Sequence, residues 1–112
     1  MVNKIISAVP EITVSELKNL IDADSAPILI DVREPHEVEI ASIGGNLIPL
    51  KTLPQRIAEI PTDVPVVIYC RSGGRSGQAC EFLMQAGHKN VKNLKGGVLE
   101  WADKIDATMT KY

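Results

Sequence analysis

Short, wholly apolar runs alternate with amphipathic stretches along this chain, and Pro or Gly marks the joints between them. Thr13-Val14-Ser15-Glu16 has the form of a capping box, in which two side chains satisfy orphan backbone N–H groups reciprocally. Val14, Leu17, Leu20 and Ile21 then share one helical face, so a helix is predicted there. Ile28-Leu29-Ile30, after Pro27, predicts a strand covered on both faces, the habit of a parallel sheet. Pro35 to Ile40 predicts a short helix, Gly44-Gly45 a turn, and Leu47-Ile48-Pro49-Leu50 a short strand. Leu53 to Ile60 predicts a helix capped by Thr52, with Pro54 in its first turn. Val66-Val67-Ile68-Tyr69 is a second fully apolar strand, followed by Cys70-Arg71-Ser72-Gly73-Gly74-Arg75-Ser76 and a helical pattern that Gly87 stops. Val91 to Leu94 predicts a further strand, and Gly96-Gly97 opens a last helix carrying Leu99 and Trp101. Beyond it Ile105 packs and the last few residues fray. Strands alternating with helices predict a three-layer α/β/α fold, whose ligands sit beyond the carboxyl ends of the strands. Cys70 occupies such a place.

The sequence has 112 residues, with no internal repeat, low-complexity tract or linker, so one domain over residues 1–112 is expected. A chain of this size buries about two thirds of its unfolded surface, enough for a core without metal or disulfide staples. Twelve basic against 14 acidic residues leave a formal charge of -2, which argues against a nucleic-acid or membrane-surface binder. Two cysteines make neither a disulfide framework nor a zinc pattern. Met1 to Pro10 lacks the apolar run of a secretory leader, and no stretch approaches the roughly 18 apolar residues of a membrane span. A reducing, cytoplasmic setting with free thiols is the expectation.

Three features converge on Cys70. It follows a buried strand, so its position is fixed. The loop after it feeds a helix N-terminus, where free N–H groups and the helix dipole favour anions. Arg71 and Arg75 add permanent positive charge, and Gly73 and Gly74 let the backbone curl its N–H groups inward. Each feature favours thiolate over thiol. The loop carries no Asp, Glu or His to protonate a leaving group, as hydrolysis usually requires. A thiolate attacking a sulfur atom needs no such acid, because the group that leaves is already a stable anion. Sulfur transfer therefore fits better than phosphate-ester hydrolysis.

These residues resemble a known family, the rhodanese domains, in their small single-domain form. Leu29-Ile30-Asp31-Val32-Arg33-Glu34-Pro35-His36-Glu37 is similar to the family's first signature. Ile43-Gly44-Gly45-Asn46-Leu47-Ile48-Pro49-Leu50 resembles its next segment, with Gly44 where the family usually has proline. Val67 to Ser76 resembles the active-site strand and loop, and Leu94-Lys95-Gly96-Gly97 with Trp101 the closing motif. The resemblance implies a rhodanese-like fold with a mainly parallel five-stranded sheet between helices, and sulfurtransferase activity through a cysteine persulfide. It makes Cys70 the nucleophile and sulfur carrier. It implies that Arg71, Ser72, Gly73, Gly74 and Arg75 surround the substrate, that Ser76 starts the helix, and that Arg71 and Arg75 bind a dianionic donor such as thiosulfate. Phosphatases related to this family have five residues between Cys and Arg; here four intervene before Arg75, which favours a sulfur-centred group over a phosphoester. No cofactor and no metal are implied.

Asp31, Arg33 and Glu34 read more simply as a structural ion pair at a strand end, supporting the loop, than as reacting groups. His36 reads as a solvated residue and His88 as a loop residue. Cys80 lies too far along its helix to bridge easily to Cys70, and with Ala79, Leu83 and Met84 reads as a core cysteine. Trp101 reads as a core anchor. The expected function is transfer of sulfane sulfur from thiosulfate or a similar donor to a thiol or protein acceptor. A persulfide-relay or binding module serving a protein partner uses the same loop, and an arsenate reductase or phosphatase stands behind both.

Overall fold

The apolar runs pair side by side. The computed structural model describes residues 9–112; residues 1–8, most of the segment without a leader-like run, lie outside the described residues. Strands β1 (Glu11–Ile12), β2 (Ile28–Asp31), β3 (Asn46–Leu47), β4 (Val66–Tyr69) and β5 (Val91–Leu94) form one sheet in the order β1-β5-β4-β2-β3. Every pairing is parallel, with β4 in the centre: Ile68 stands opposite Ile30 of β2 and Asn93 of β5. Helices α1 (Val14–Asp22), α2 (Pro35–Ile40), α3 (Leu53–Arg56), α4 (Gly74–Gln85) and α5 (Gly97–Lys104) connect them.

The two-residue period of a strand sends neighbours to opposite faces. Along β4 this divides the core. Val66, Ile68 and Cys70 join Leu53 of α3 and Ala79, Cys80 and Leu83 of α4 in one apolar cluster. Val67 and Tyr69 join Val14 and Leu17 of α1 and Val98 and Trp101 of α5 in the other. A fully buried leucine such as Leu17 or Leu83 contributes roughly 1.5–3 kcal/mol on leaving water. The chain thus forms the α/β/α arrangement expected, with the sheet wholly parallel.

Local signals explain most boundaries. Thr13 Oγ1 accepts from the Glu16 N–H at 3.1 Å, and Glu16 Oε1 accepts from the Thr13 N–H at 2.9 Å, closing the capping box of α1. The run Leu47 to Leu50 forms less strand than expected. Ile48 and Leu50 still donate to the Asp31 and Val32 carbonyls, but Pro49 between them has no N–H to give, and a 3-10 turn begins at Leu50. The helix expected from Leu53 to Ile60 is also divided: α3 ends at Arg56 and a 3-10 turn covers Ile57–Glu59. Thr52 does not cap it; its hydroxyl donates back to the Pro49 carbonyl at 2.8 Å. The tail does not fray as expected. Ile105, Met109 and Tyr112 pack against the α1/α5 cluster, and Lys111 pairs with Asp103 at 3.0 Å. No helix among the described residues is long and apolar enough to cross a membrane.

Candidate active site

Strand β4 ends at Tyr69 and delivers Cys70 to the carboxyl edge of the sheet, 1% exposed. The chain then turns through Gly73, whose φ of +112° is a left-handed conformation that side chains rarely tolerate. This turn starts α4 at Gly74, two residues before the start expected at Ser76, so Arg75 and Ser76 belong to its first turn. The orphan N–H groups at this end point toward sulfur. Gly73 N donates to Cys70 Sγ at 3.1 Å and Ser76 N at 3.4 Å, while Ser76 Oγ lies 3.3 Å from the same sulfur. The opposite polarity is drawn away: the Cys70 and Arg71 carbonyls accept from the Val98 and Leu99 N–H groups, each at 3.0 Å, at the start of α5. Gly97 makes this possible, because a Cβ there would lie 2.4 Å from the Cys70 carbonyl oxygen. Two helix N-termini therefore sort the loop, one serving its sulfur and the other its carbonyls.

Burial opposes ionisation of Cys70, but its hydrogen bonds with the Ser76 side chain and the N–H groups of Ser76, Gly73 and Ser72 outweigh burial and hold the thiol below its ordinary pKa. The largest stabilising contributions come from these short-range donors, and the Arg75 charge expected to supply them acts on the thiolate at longer range. Arg75 is turned to α2, where Nη1 and Nη2 donate to Glu37 Oε2 and Oε1 at 2.7 and 2.8 Å. That pair holds the Glu37 carboxyl down to about 2 despite burial. Arg71 is exposed, its guanidinium carbon 5.2 Å from the centroid of the Tyr112 ring, and its Nε donates to the Tyr112 main-chain oxygen.

Asp31 and Arg33 form the buried ion pair expected, with Arg33 Nη2 2.8 Å from Asp31 Oδ2. The remaining Arg33 donors reach the Glu37 and Ala41 carbonyls and the Tyr112 hydroxyl, so this guanidinium is saturated and structural. Cys80 is buried among apolar side chains, and burial together with the nearby Cys70 pushes its thiol up to about 12. His36 is exposed; His88 lies in the loop after α4, as expected, and is buried there, with Nδ1 unpartnered among the described residues. Among the described residues no cluster of three or more metal-ligating side chains occurs.

Three site residues were not foreseen. Glu37 anchors Arg75. Asn93, 6% exposed on β5, accepts from the Ser76 hydroxyl at 2.6 Å and donates to the Gly73 carbonyl at 3.1 Å, spanning the loop from behind. Its position was readable, since Val91 and Asn93 face inward while Lys92 faces out, and an inward polar residue needs a partner. Tyr112 closes over Arg33 and Arg71 from 79 and 41 residues away, and nothing local signals it.

Comparison with known proteins places this geometry. The chain is 50% identical over 76 residues to a protein of Allochromatium vinosum named Sulfurtransferase, covering 67% of this chain and 71% of that one. It is 50% identical over 80 residues to the uncharacterized protein YqhL of Bacillus subtilis, covering 70% of this chain and 64% of that one. The crystal structure of reduced Bacillus anthracis CoADR-RHD superposes with a TM-score of 0.80 at 33% identity, over 91% of this chain and 18% of that chain. The chain therefore spans less than two thirds of YqhL and a small part of the Bacillus anthracis protein. The sequence profile of the Rhodanese-like domain matches residues 13–104, from the cap of α1 to the end of α5, and the chain belongs to that family, which includes sulfurtransferases.

Proposed function

We propose that the chain is a thiosulfate-type sulfurtransferase working by double displacement. The Cys70 thiolate attacks the outer sulfur of thiosulfate. The S–S bond of the donor breaks, sulfite leaves with the bonding pair, and Cys70 carries a persulfide. A cyanide ion, a thiolate or a protein thiolate then attacks the terminal sulfur and releases the Cys70 thiolate. No proton need be supplied in either half, since each leaving group departs as a stable anion.

One observation carries this reading: Cys70 Sγ is contacted by backbone N–H groups and the Ser76 hydroxyl, all groups suited to hold an anion, and none a general acid. The orientation of Arg75 weighs against phosphatase or arsenate chemistry. An arginine serving a tetrahedral oxyanion must face it, and this one faces Glu37. Arg71, exposed beside the loop, is the cation for a dianionic donor, with Ser72, Gly73, Gly74 and Ser76 supplying the backbone of its cradle. The same persulfide serves a protein acceptor in a cytoplasmic sulfur relay.

Intact mass after incubation with thiosulfate tests the mechanism. The wild-type protein should gain one sulfur that cyanide removes, and Cys70→Ala should gain none. No gain in the wild type, or an equal gain in the variant, overturns it.

A further inference from the structure

We infer that Tyr112 is a specificity-determining residue, holding Arg71 in position to receive a dianionic sulfur donor. The inference rests on the reading of Arg71 as the donor-binding cation and adds what fixes it. Tyr112 lies eight residues past the family match, which ends at residue 104.

Tyr112 is itself firmly held. Its hydroxyl accepts from Arg33 Nη1 at 2.6 Å and donates to Glu37 Oε1 at 3.1 Å, two groups locked in the buried ion-pair network. Its ring packs on the α1/α5 cluster together with Met109. On this base Arg71 is gripped twice, by stacking over the ring and by the bond from its Nε to the Tyr112 main-chain oxygen. The grip uses one edge of the guanidinium. Among the described residues Nη1 and Nη2 of Arg71 have no partner, so the outer donors stay available for the paired oxygens of a sulfonate group. An unrestrained surface arginine would lose much rotamer freedom on binding; one already stacked loses less. Arg75 cannot substitute, being committed to Glu37.

The test needs no turnover. Sulfate, an unreactive dianion, should protect Cys70 from alkylation by iodoacetamide, while the buried Cys80 stays unlabelled. The half-protecting sulfate concentration is measured for wild type, Arg71→Ala, Tyr112→Ala, Tyr112→Phe and the Arg71→Ala/Tyr112→Ala double variant. Tyr112→Ala should raise it about fivefold, the scale of one exposed cation–π contact. Tyr112→Phe, which keeps the ring, should recover most of that loss. In the Arg71→Ala background Tyr112→Ala should add nothing. The ratio of kcat/KM for thiosulfate over methanethiosulfonate, a donor with one charge fewer, should fall in parallel.

An unchanged or lower half-protecting concentration in Tyr112→Ala overturns the inference, as does an equal further loss in the Arg71→Ala background. If Arg71→Ala itself leaves sulfate protection unchanged, the donor-binding assignment of Arg71 fails first and the role of Tyr112 with it. Failure of sulfur transfer as such is read separately, from the mass of the thiosulfate-treated protein.

Discussion

Glu37 on α2 and Arg75 in the first turn of α4 clasp each other through two parallel hydrogen bonds of 2.7 and 2.8 Å, across 38 residues of sequence. The pair fastens the sulfur loop to the strand-end ion-pair network, because Glu37 also accepts from the Glu34 N–H and the Tyr112 hydroxyl. A bidentate arginine–carboxylate contact fixes orientation as well as distance. The guanidinium of Arg75 is therefore fixed by loop geometry, and its charge reaches the Cys70 thiolate from there.

This clasp makes stability depend on pH in a stated window. The Glu37 carboxyl is held at about 2, below its ordinary value of 4.5. A carboxyl lowered on folding contributes stability above its unfolded pKa, and the contribution drains away as pH falls from there toward the folded value. Unfolding free energy should thus decline between pH 4.5 and about 2. Glu37→Gln should remove that segment of the slope and cost about 1–2 kcal/mol at pH 7, a figure discounted because the Arg75 side chain is partly exposed. Denaturant titrations of both proteins across this range decide it; identical slopes would mean that the pair is not held in solution.

Gly97 offers a test that turns on backbone alone. A methyl group at this position would meet the Cys70 carbonyl oxygen at 2.4 Å and the Arg71 carbonyl oxygen at 2.6 Å, and its own φ is +58°. Both obstacles are main chain, so no side chain can swing aside. Gly97→Ala should cost more than about 2 kcal/mol of stability. It should also push α5 off the loop, breaking the Val98 and Leu99 bonds that keep the carbonyls turned from sulfur. A variant with wild-type melting temperature and wild-type Cys70 alkylation would show that α5 does not set the loop.

The uneven legibility of this site has physical causes. Cys70, Gly73 and the arginines stand within six residues, and their chemistry converges on a thiolate cradle without any knowledge of the fold. The five strands were legible where they carried a run of branched residues, as in β4, and not where two residues suffice, as in β1. Where the arginines point was not legible, because a long side chain reaches whichever acceptor the fold supplies. Arg75 found Glu37, and Arg71 found a tail that sequence alone left to fray. The start of α4 was misplaced because Gly73 takes a left-handed turn, which lets the helix begin at once. Asn93 left the one signal that went unread, a polar side chain on the inward phase of a strand.

Asn93 and Ser76 allow the electrostatics at sulfur to be tested from two sides. The Ser76 hydroxyl lies between Cys70 Sγ, at 3.3 Å, and Asn93 Oδ1, at 2.6 Å. The hydroxyl has one proton to give, and turned from Asn93 to sulfur on ionisation it stabilises the thiolate, so Ser76→Ala should raise the midpoint of the pH-dependent alkylation of Cys70 by about one to two units, the value of one hydrogen bond to a charged group. Asn93→Asp should raise it further. The substitution keeps an acceptor for Ser76, replaces the donor to the Gly73 carbonyl with a second acceptor, and sets a negative charge behind the loop that must ionise. Since the reactive form exists only above the midpoint, the acid limb of the sulfur-transfer rate should move to higher pH by the same amount in each variant. Rates of iodoacetamide labelling between pH 5 and 10, followed by intact mass, give both midpoints. If neither variant moves the midpoint, the hydroxyl and its asparagine do not govern the thiolate, and the N–H groups of Gly73 and Ser76 hold it alone.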